Sequence, residues 1–378
     1  MKKILFVSHF SDLYGSNRSM ESIVSYFRKQ NVDVEVLLPS QGPFYRELRD
    51  QNIKVTCFKY FYEALYVKKN IKYLTLPVLW LYNIIVFPFL LLKIYRIKPD
   101  LIYLNSSVAL GIFLIPKILR VKFIVHIREF MDEDFGAYCI FGRWFKKRAV
   151  LSGSKIIFVS QAVAKSVVGE IPDYGKVIYN GLKIPSSNYE FESGIKIGVV
   201  GNLDVSKQQH LAISFMPEIL RLFPYAKMHI IGDKECDYKY KLQNMVKDLG
   251  VDDAVIFDGF VSNVDEIYSK FNILLMCSRA EAFGRVTVEA MLRRRPVIGF
   301  NKGGTPELIE NGQTGFLFDD CKDVIESLSI IVNNPTKTRE IVDRAYKYAI
   351  DNFSERKYVY EVYNFVVDDK LWRITKKH

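Results

Sequence analysis

Short apolar runs alternate with longer amphipathic stretches along most of this chain, and the alternation stops once and then restarts. The first series is Ile4–Val7, Val34–Leu38, Leu101–Leu104, Phe123–Ile127 and Ile156–Val159. The second is Ile195–Val200, Met228–Ile231, Val255–Phe257, Ile273–Met276 and Val297–Phe300. Strands apolar on both faces need cover on both faces, so each series predicts a parallel sheet wrapped by helices. The break between them, Asn180 to Gly194, holds Gly181, Pro185, Ser186, Ser187, Asn188 and Ser193, the residues of a linker or hinge. A chain of 378 residues has room for two domains of ordinary size. The reading is α/β, with two Rossmann-like doubly wound domains, 1–183 and 184–354, facing a central cleft. Beyond about Lys322 the apolar spacing turns helical, in Ile325, Leu328 and Ile331 and again in Tyr358, Val362, Phe365 and Val366. The last helix, about 355–378, is expected to pack back on the first domain.

Composition narrows the class. With 49% hydrophobic and 25% charged residues the chain is a folded protein rather than a disordered one. Its formal charge of +11 favours polyanions such as nucleotide phosphates or anionic lipid head groups, and equally fits a solvated basic surface. Nucleic acid is not an expected partner, because no zinc, helix-turn-helix or aromatic-basic recognition motif is present. The five cysteines (Cys57, Cys139, Cys236, Cys277, Cys321) form no CxxC pair, which predicts a reducing compartment and no structural zinc. Ser8-His9 cuts the first apolar run too short for a signal peptide, so it reads as a strand and the location as cytoplasmic.

Leu74–Tyr95 is long and apolar enough to cross a bilayer, but Pro77, Asn83, Pro88 and Lys93 interrupt it. A spanning helix and a buried helix pair remain possible readings. The favoured one is a surface helix at the inner face of the cell membrane, with Lys68, Lys69, Lys72, Lys93, Arg96 and Lys98 near lipid phosphates.

The sharpest chemical feature is Glu281-Ala282-Phe283-Gly284-Arg285-Val286-Thr287-Val288-Glu289, after the predicted strand Ile273–Met276. Eight residues of helix span ~12 Å, so the two carboxylates do not converge on one bond. A glycosidase pair needs roughly 5–9.5 Å. The spacing suits the two ends of a nucleotide sugar instead. Between them, the amides of Phe283 to Val286 open a helix where phosphate is favoured, and Gly284 allows close approach. Two ordinary helix-terminal glutamates would look the same.

The E-x-F-G-x-x-x-x-E segment resembles the signature of retaining glycosyltransferases of family four, which have the GT-B fold. Four other segments share the resemblance in order: Ile178-Tyr179-Asn180-Gly181; Gly201-Asn202-Leu203-Asp204-Val205-Ser206-Lys207; Phe300 to Glu307 with Gly303, Gly304 and Pro306; and Gly312 to Phe316 with Gly315. The resemblance implies a donor site in which Glu289 holds the ribose, Glu281 the sugar and Lys207 the pyrophosphate, with Gly201 and Gly232 giving the backbone room. The family's arginine after the first-loop glycine is Asn202 here, and Arg285 is the candidate replacement. In the first domain Gly15-Ser16 resembles the family's Gly-Gly loop, with Tyr14 in place of one glycine. The full G-x-G-x-x-G dinucleotide pattern is missing, which lowers the dehydrogenase alternative. By resemblance His126 would contact the transferred sugar. Arg128 or Glu129, in the polar run after the same strand, is a candidate to touch the acceptor. Asp132-Glu133-Asp134 reads as a solvated acidic loop rather than a metal site.

The implied reaction moves a sugar from a UDP- or GDP-linked donor to a saccharide or lipid-linked saccharide hydroxyl, with retention, no metal and no cofactor besides the donor. A nucleotide-sugar epimerase of the same fold and a non-catalytic membrane-bound sugar-nucleotide binder are the alternatives.

Overall fold

Every residue of Ile4–Val7 and Leu101–Asn105 is buried, as is every residue of Ile273–Met276, which is the burial that central strands covered on both faces require. The computed structural model describes residues 3–13, 15–60, 66–68, 76–108, 112–130, 137–186, 189–191 and 194–368. It divides into two compact units: Met1–Gly181 with Glu355–His378, and Leu182–Ser354.

The first unit contains β1 (Lys3–Val7), β2 (Asp33–Leu38), β3 (Lys54–Cys57), β4 (Tyr66–Lys68), β5 (Leu101–Asn105), β6 (Lys122–Ile127), β7 (Ala137–Cys139), β8 (Lys155–Phe158) and β9 (Gly175–Val177). Seven of them form a parallel sheet in the order β3-β2-β1-β5-β6-β8-β9, and β4 pairs with β7 antiparallel. Helix Gly15–Lys29 covers one face with Met20, Ile23, Val24 and Phe27, the i, i+3, i+4, i+7 stripe of a helix on a sheet. The helix Glu355–Val367 lies against it. Tyr358, Val359, Val362, Phe365 and Val366 share a core with Met20, Ile23 and Phe27. Ser22 Oγ donates to Glu355 Oε1 at 2.6 Å, and the buried Lys155 ammonium donates to the Phe365 carbonyl at that helix's end. A cation there also complements the helix dipole.

The second unit contains β10 (Lys196–Val200), β11 (Lys227–Ile231), β12 (Val255–Gly259), β13 (Ile273–Met276), β14 (Val297–Phe300) and β15 (Phe316–Phe318), all parallel, in the order β12-β11-β10-β13-β14-β15. Counted within the unit this is 3-2-1-4-5-6, the Rossmann order. Chain direction across the sheet reverses beside β10, so the loops leaving β10 and β13 splay apart and leave a crevice at the strand C-termini. The edge strands β3, β9 and β15 and the β4–β7 pair were not expected from the sequence. Tyr14, Lys69, Lys72, Leu74, Asp132, Glu133, Asp134, Ser187, Asn188 and Ser193 lie outside the described residues.

Candidate functional site

The loop after β10 begins at Gly201, with φ +146°, whose amide donates to the Ile231 carbonyl at 2.9 Å. Gly232, at φ +139°, ends the neighbouring strand. A Cβ on Gly232 would stand 2.1 Å from the Gly201 carbonyl oxygen, so the two turns touch backbone to backbone. Gly232→Ala is therefore expected to cost about 2–4 kcal/mol, from overpacking and an unfavourable φ together. The denaturation midpoint measures it, and an unchanged midpoint would mean the turns separate freely.

Beyond Asn202, which is exposed, Asp204 caps a 3₁₀ turn over Val205–Lys207, its Oδ1 accepting from the Ser206 amide at 3.0 Å. Gln209, buried, donates to the Asn202 carbonyl at 2.9 Å and pins the loop. The turn lays the Lys207 stem beside Gly201 and carries its ammonium to 2.7 Å from Glu281 Oε2. Two residues 74 apart in sequence thus meet at the crevice between β10 and β13.

Glu281 sits in the loop after β13, and the glycine pair after β14 explains its support. Gly304 donates to the Glu281 carbonyl at 2.7 Å, and a Cβ on Gly303 would lie 2.9 Å from the Glu281 amide nitrogen. Gly284, at φ +94°, caps helix Arg285–Met291, with Leu308 and Glu281 side chains close against it. Phe283 is buried edge-on to Phe353 at 5.8 Å, so its side chain anchors the loop and only its backbone is available to a ligand. Ala282 and Val286 are half-buried. Glu289 lies in the second turn of the helix. Its Oε2 accepts from Tyr268 Oη at 3.2 Å, and its Oε1 is 3.7 Å from the Arg285 guanidinium. Burial first, and then the Glu289 charge, push the Tyr268 phenol well above its usual pKa, so it stays a donor. Sequence reasoning missed Tyr268, because a lone tyrosine 21 residues upstream carries no signal until the helix folds over it.

In the first unit, Ser8 and Asn17 organise the loop after β1: Ser8 Oγ donates to Asn17 Oδ1 at 2.7 Å, and Asn17 Nδ2 to the Asp12 carbonyl at 2.8 Å. Gly15 and Ser16 open the following helix, and Asn105 Nδ2 donates to the Ser16 carbonyl at 3.3 Å. His9, also missed from sequence, lies in the same loop, and burial pushes its pKa down to about 3. His126 is fully buried on β6, next to β5. Its Nδ1 is 2.6 Å from Tyr103 Oη, and its Nε2 is buried with no hydrogen-bond partner. Burial, reinforced by the Arg128 charge, holds the ring well below the usual pKa and therefore neutral.

The acceptor contact expected of Arg128 or Glu129 meets a different use of both side chains. Arg128 donates to Asn105 Oδ1 at 2.5 Å, Asn180 Oδ1 at 2.7 Å and Tyr358 Oη at 2.9 Å. Glu129 Oε1 accepts from Ser106 Oγ at 2.8 Å, Ser107 Oγ at 2.6 Å and the Ser107 amide at 2.7 Å. Both groups are buried and tie the strand ends together. Among the described residues no cluster of three or more His, Cys, Asp or Glu is placed to hold a metal.

Two family models match in tandem: Glycosyltransferase Family 4 over residues 14–184 and Glycosyl transferases group 1 over residues 183–348. The chain belongs to the group 1/family 4 glycosyltransferases. Among its relatives is the sulfoquinovosyl transferase SQD2 of Arabidopsis thaliana, 24% identical over 369 residues, which covers 88% of this chain and 70% of that protein. The N-acetyl-alpha-D-glucosaminyl L-malate synthase of Bacillus anthracis is 34% identical over 155 residues, with 39% of this chain and 40% of that protein covered. Among solved structures, Anabaena HepE in complex with UDP and glucose superposes with a TM-score of 0.77 at 23% identity, over 97% of this glycosyltransferase and 100% of that chain. The glycosyltransferase thus has the GT-B fold.

Proposed function

We propose that this glycosyltransferase transfers a sugar from a UDP- or GDP-linked donor, with retention of configuration, to the hydroxyl of a saccharide or lipid-linked saccharide in bacterial surface polysaccharide assembly. The observation that carries the donor half is the Lys207–Glu281 pair at the switch-point crevice, with Glu289 held by Tyr268 in the helix that follows. Complexes of HepE with UDP and with UDP-glucose support a nucleotide-sugar ligand for this arrangement. The relative named poly(ribitol-phosphate) alpha-N-acetylglucosaminyltransferase, from Staphylococcus aureus, supports a surface-polymer acceptor.

In this reading Glu289 accepts from the ribose hydroxyls and Glu281 from the sugar, while Lys207 faces the diphosphate. The bond from the anomeric carbon to the phosphate oxygen breaks, and its electron pair leaves with the diphosphate. The acceptor oxygen bonds to the same face, and its proton passes to a phosphate oxygen of the leaving group. The main task is to stabilise growing negative charge, which fixed cations and helix amides do without reorganising. Neither a metal nor a further cofactor has a role in this scheme. The neutral His126 suits a hydrogen bond to the transferred sugar rather than an ion pair.

Arg285 takes the place of the cation that Asn202 cannot supply, which requires the Arg285–Glu289 pair to open toward the phosphates. A thermal-shift series with UDP-, GDP- and ADP-sugars tests the donor, since a ligand at a hundred times its Kd adds about 2.7 kcal/mol. UDP- or GDP-sugars should raise the midpoint by several degrees, and no shift with either would sink the donor assignment. Arg285→Ala should weaken donor binding at least about tenfold, the worth of one charge-assisted contact. Unchanged affinity would remove Arg285 from the site.

A further inference from the structure

Helix Leu76–Ile97, in the first unit, shows solvent the side chains that a water-soluble helix hides. Leu90 and Ile94 are fully buried, and Lys93 Nζ donates to the Cys57 carbonyl at 3.3 Å, so one side is fastened to the unit at the end of β3. The other side presents Val78, Leu81, Ile85, Phe89, Leu92 and Tyr95, each 45–66% exposed, in one continuous stripe. Pro88, expected to interrupt the segment, sits inside the helix.

Exposed apolar side chains do not stop at the helix. Trp80 stacks on Phe141 at 5.8 Å, Phe141 tilts on Phe145 at 5.0 Å, and Phe145 meets Phe113 edge-on at 5.9 Å. These contacts leave the helix from the side that also carries Leu76 and Ile94 and set residues 112–122 and 138–151 beside it, where Leu114, Ile118 and Trp144 are exposed as well. None of the stretches 76–98, 112–122 and 138–151 contains Asp or Glu, whereas Arg96, Lys98, Lys117, Lys147 and Arg148 are exposed on them. The Lys117 ammonium lies 4.9 Å from the centre of the Phe113 ring and the Arg148 guanidinium 5.0 Å from that of Trp144. Aromatic rings flanked by long cationic side chains are the chemistry of a bilayer interface, with apolar parts among acyl chains and cations at lipid phosphates.

We infer that this face docks the protein on an anionic lipid bilayer, with the helix lying in the plane of the surface. Its 22 residues are long and apolar enough to span, but spanning would pull Leu90 and Ile94 out of the core that holds them. A second copy of the chain is a poor occupant, because two faces whose described stretches 76–98, 112–122 and 138–151 carry Lys and Arg but no Asp or Glu repel each other. Anionic head groups complement them. The inference uses only first-unit residues and stands whether or not the donor assignment does.

The test is flotation of the full chain with phosphatidylcholine vesicles, with and without phosphatidylglycerol. The wild type should float with the anionic vesicles, at least about tenfold less with the neutral ones, and be released by high salt. The exposed double substitution Leu81→Glu/Ile85→Glu should abolish flotation, and Lys147→Glu/Arg148→Glu should lower it at least about tenfold. Each should do so at an unchanged unfolding midpoint, while Ile85→Leu keeps full binding. Equal binding to both vesicle types, or to neither, overturns the inference. So does retention through an alkaline wash, which means spanning. A concentration-dependent dimer that Leu81→Glu/Ile85→Glu makes monomeric, with vesicle binding untouched, overturns it in favour of self-association.

Discussion

Lys207→Met is expected to lower sugar transfer by about 10²–10³-fold while leaving the protein folded. Methionine keeps the stem that lies along Gly201 and removes only the charge. The Lys207 side chain is about one-third exposed (36%) and its partner Glu281 is less so (16%). An ion pair this open contributes only about 0.2–1 kcal/mol to stability, so the unfolding midpoint should barely move. On the proposed mechanism the kinetic loss is larger, because the charge would count most as a diphosphate leaves a site that has shed its water. On the same reading a donor would find Lys207 already engaged with Glu281, and binding would exchange that carboxylate for phosphate oxygens. Lys207→Arg should recover part of the rate, since it restores charge with a different geometry. Steady-state rates alongside donor Kd values make the measurement, and wild-type turnover in Lys207→Met would remove the lysine from the mechanism.

The largest expected stability effect lies in the other unit. Arg128→Met should cost about 4–6 kcal/mol, measured as a shift in the denaturation midpoint. Its guanidinium donates to three acceptors, Asn105 Oδ1, Asn180 Oδ1 and Tyr358 Oη, and is itself buried. Hydrogen bonds to a charged group are worth about 1.5–3 kcal/mol each, and three sharing one donor fall short of their sum. That loss is a large share of the roughly 5–15 kcal/mol that holds a typical protein folded. Tyr358→Phe, which removes one of the three, should cost about 1–2 kcal/mol. A midpoint shift under about 1 kcal/mol for Arg128→Met would show that water replaces the guanidinium and that the knot is dispensable.

Burial on both faces made the central strands legible, because an unbroken apolar run survives any context. Ile4–Val7, Leu101–Leu104 and Ile273–Met276 read as strands for that reason and are strands. The edges were not legible. Lys54–Cys57 alternates polar and apolar, while Gly175–Val177 and Phe316–Phe318 are three residues long. Such segments are strands only because a neighbour offers its unpaired amides and carbonyls. In the candidate site, Glu281, Gly284 and Glu289 stood out by their spacing around a helix start, and Lys207, Gly201 and Gly232 by their resemblance to the family's segments. Tyr268 did not, and Arg128 and Glu129 were read as acceptor contacts although their side chains turn inward.

Periodicity was enough to name a doubly wound fold, and the resemblance of the Glu281–Glu289 segment together with four others in order was enough to name a family, since both depend on local pattern alone. The partners of those residues were decided by the tertiary structure. Lys207 meets Glu281 because strand order reverses at β10, and Arg128 reaches Tyr358 because the last helix returns to the first sheet. Helix Leu76–Ile97 shows the division most plainly. Its composition announces an apolar helix, but only the packing of Leu90 and Ile94 decides which side faces the core and which is left for another surface to cover.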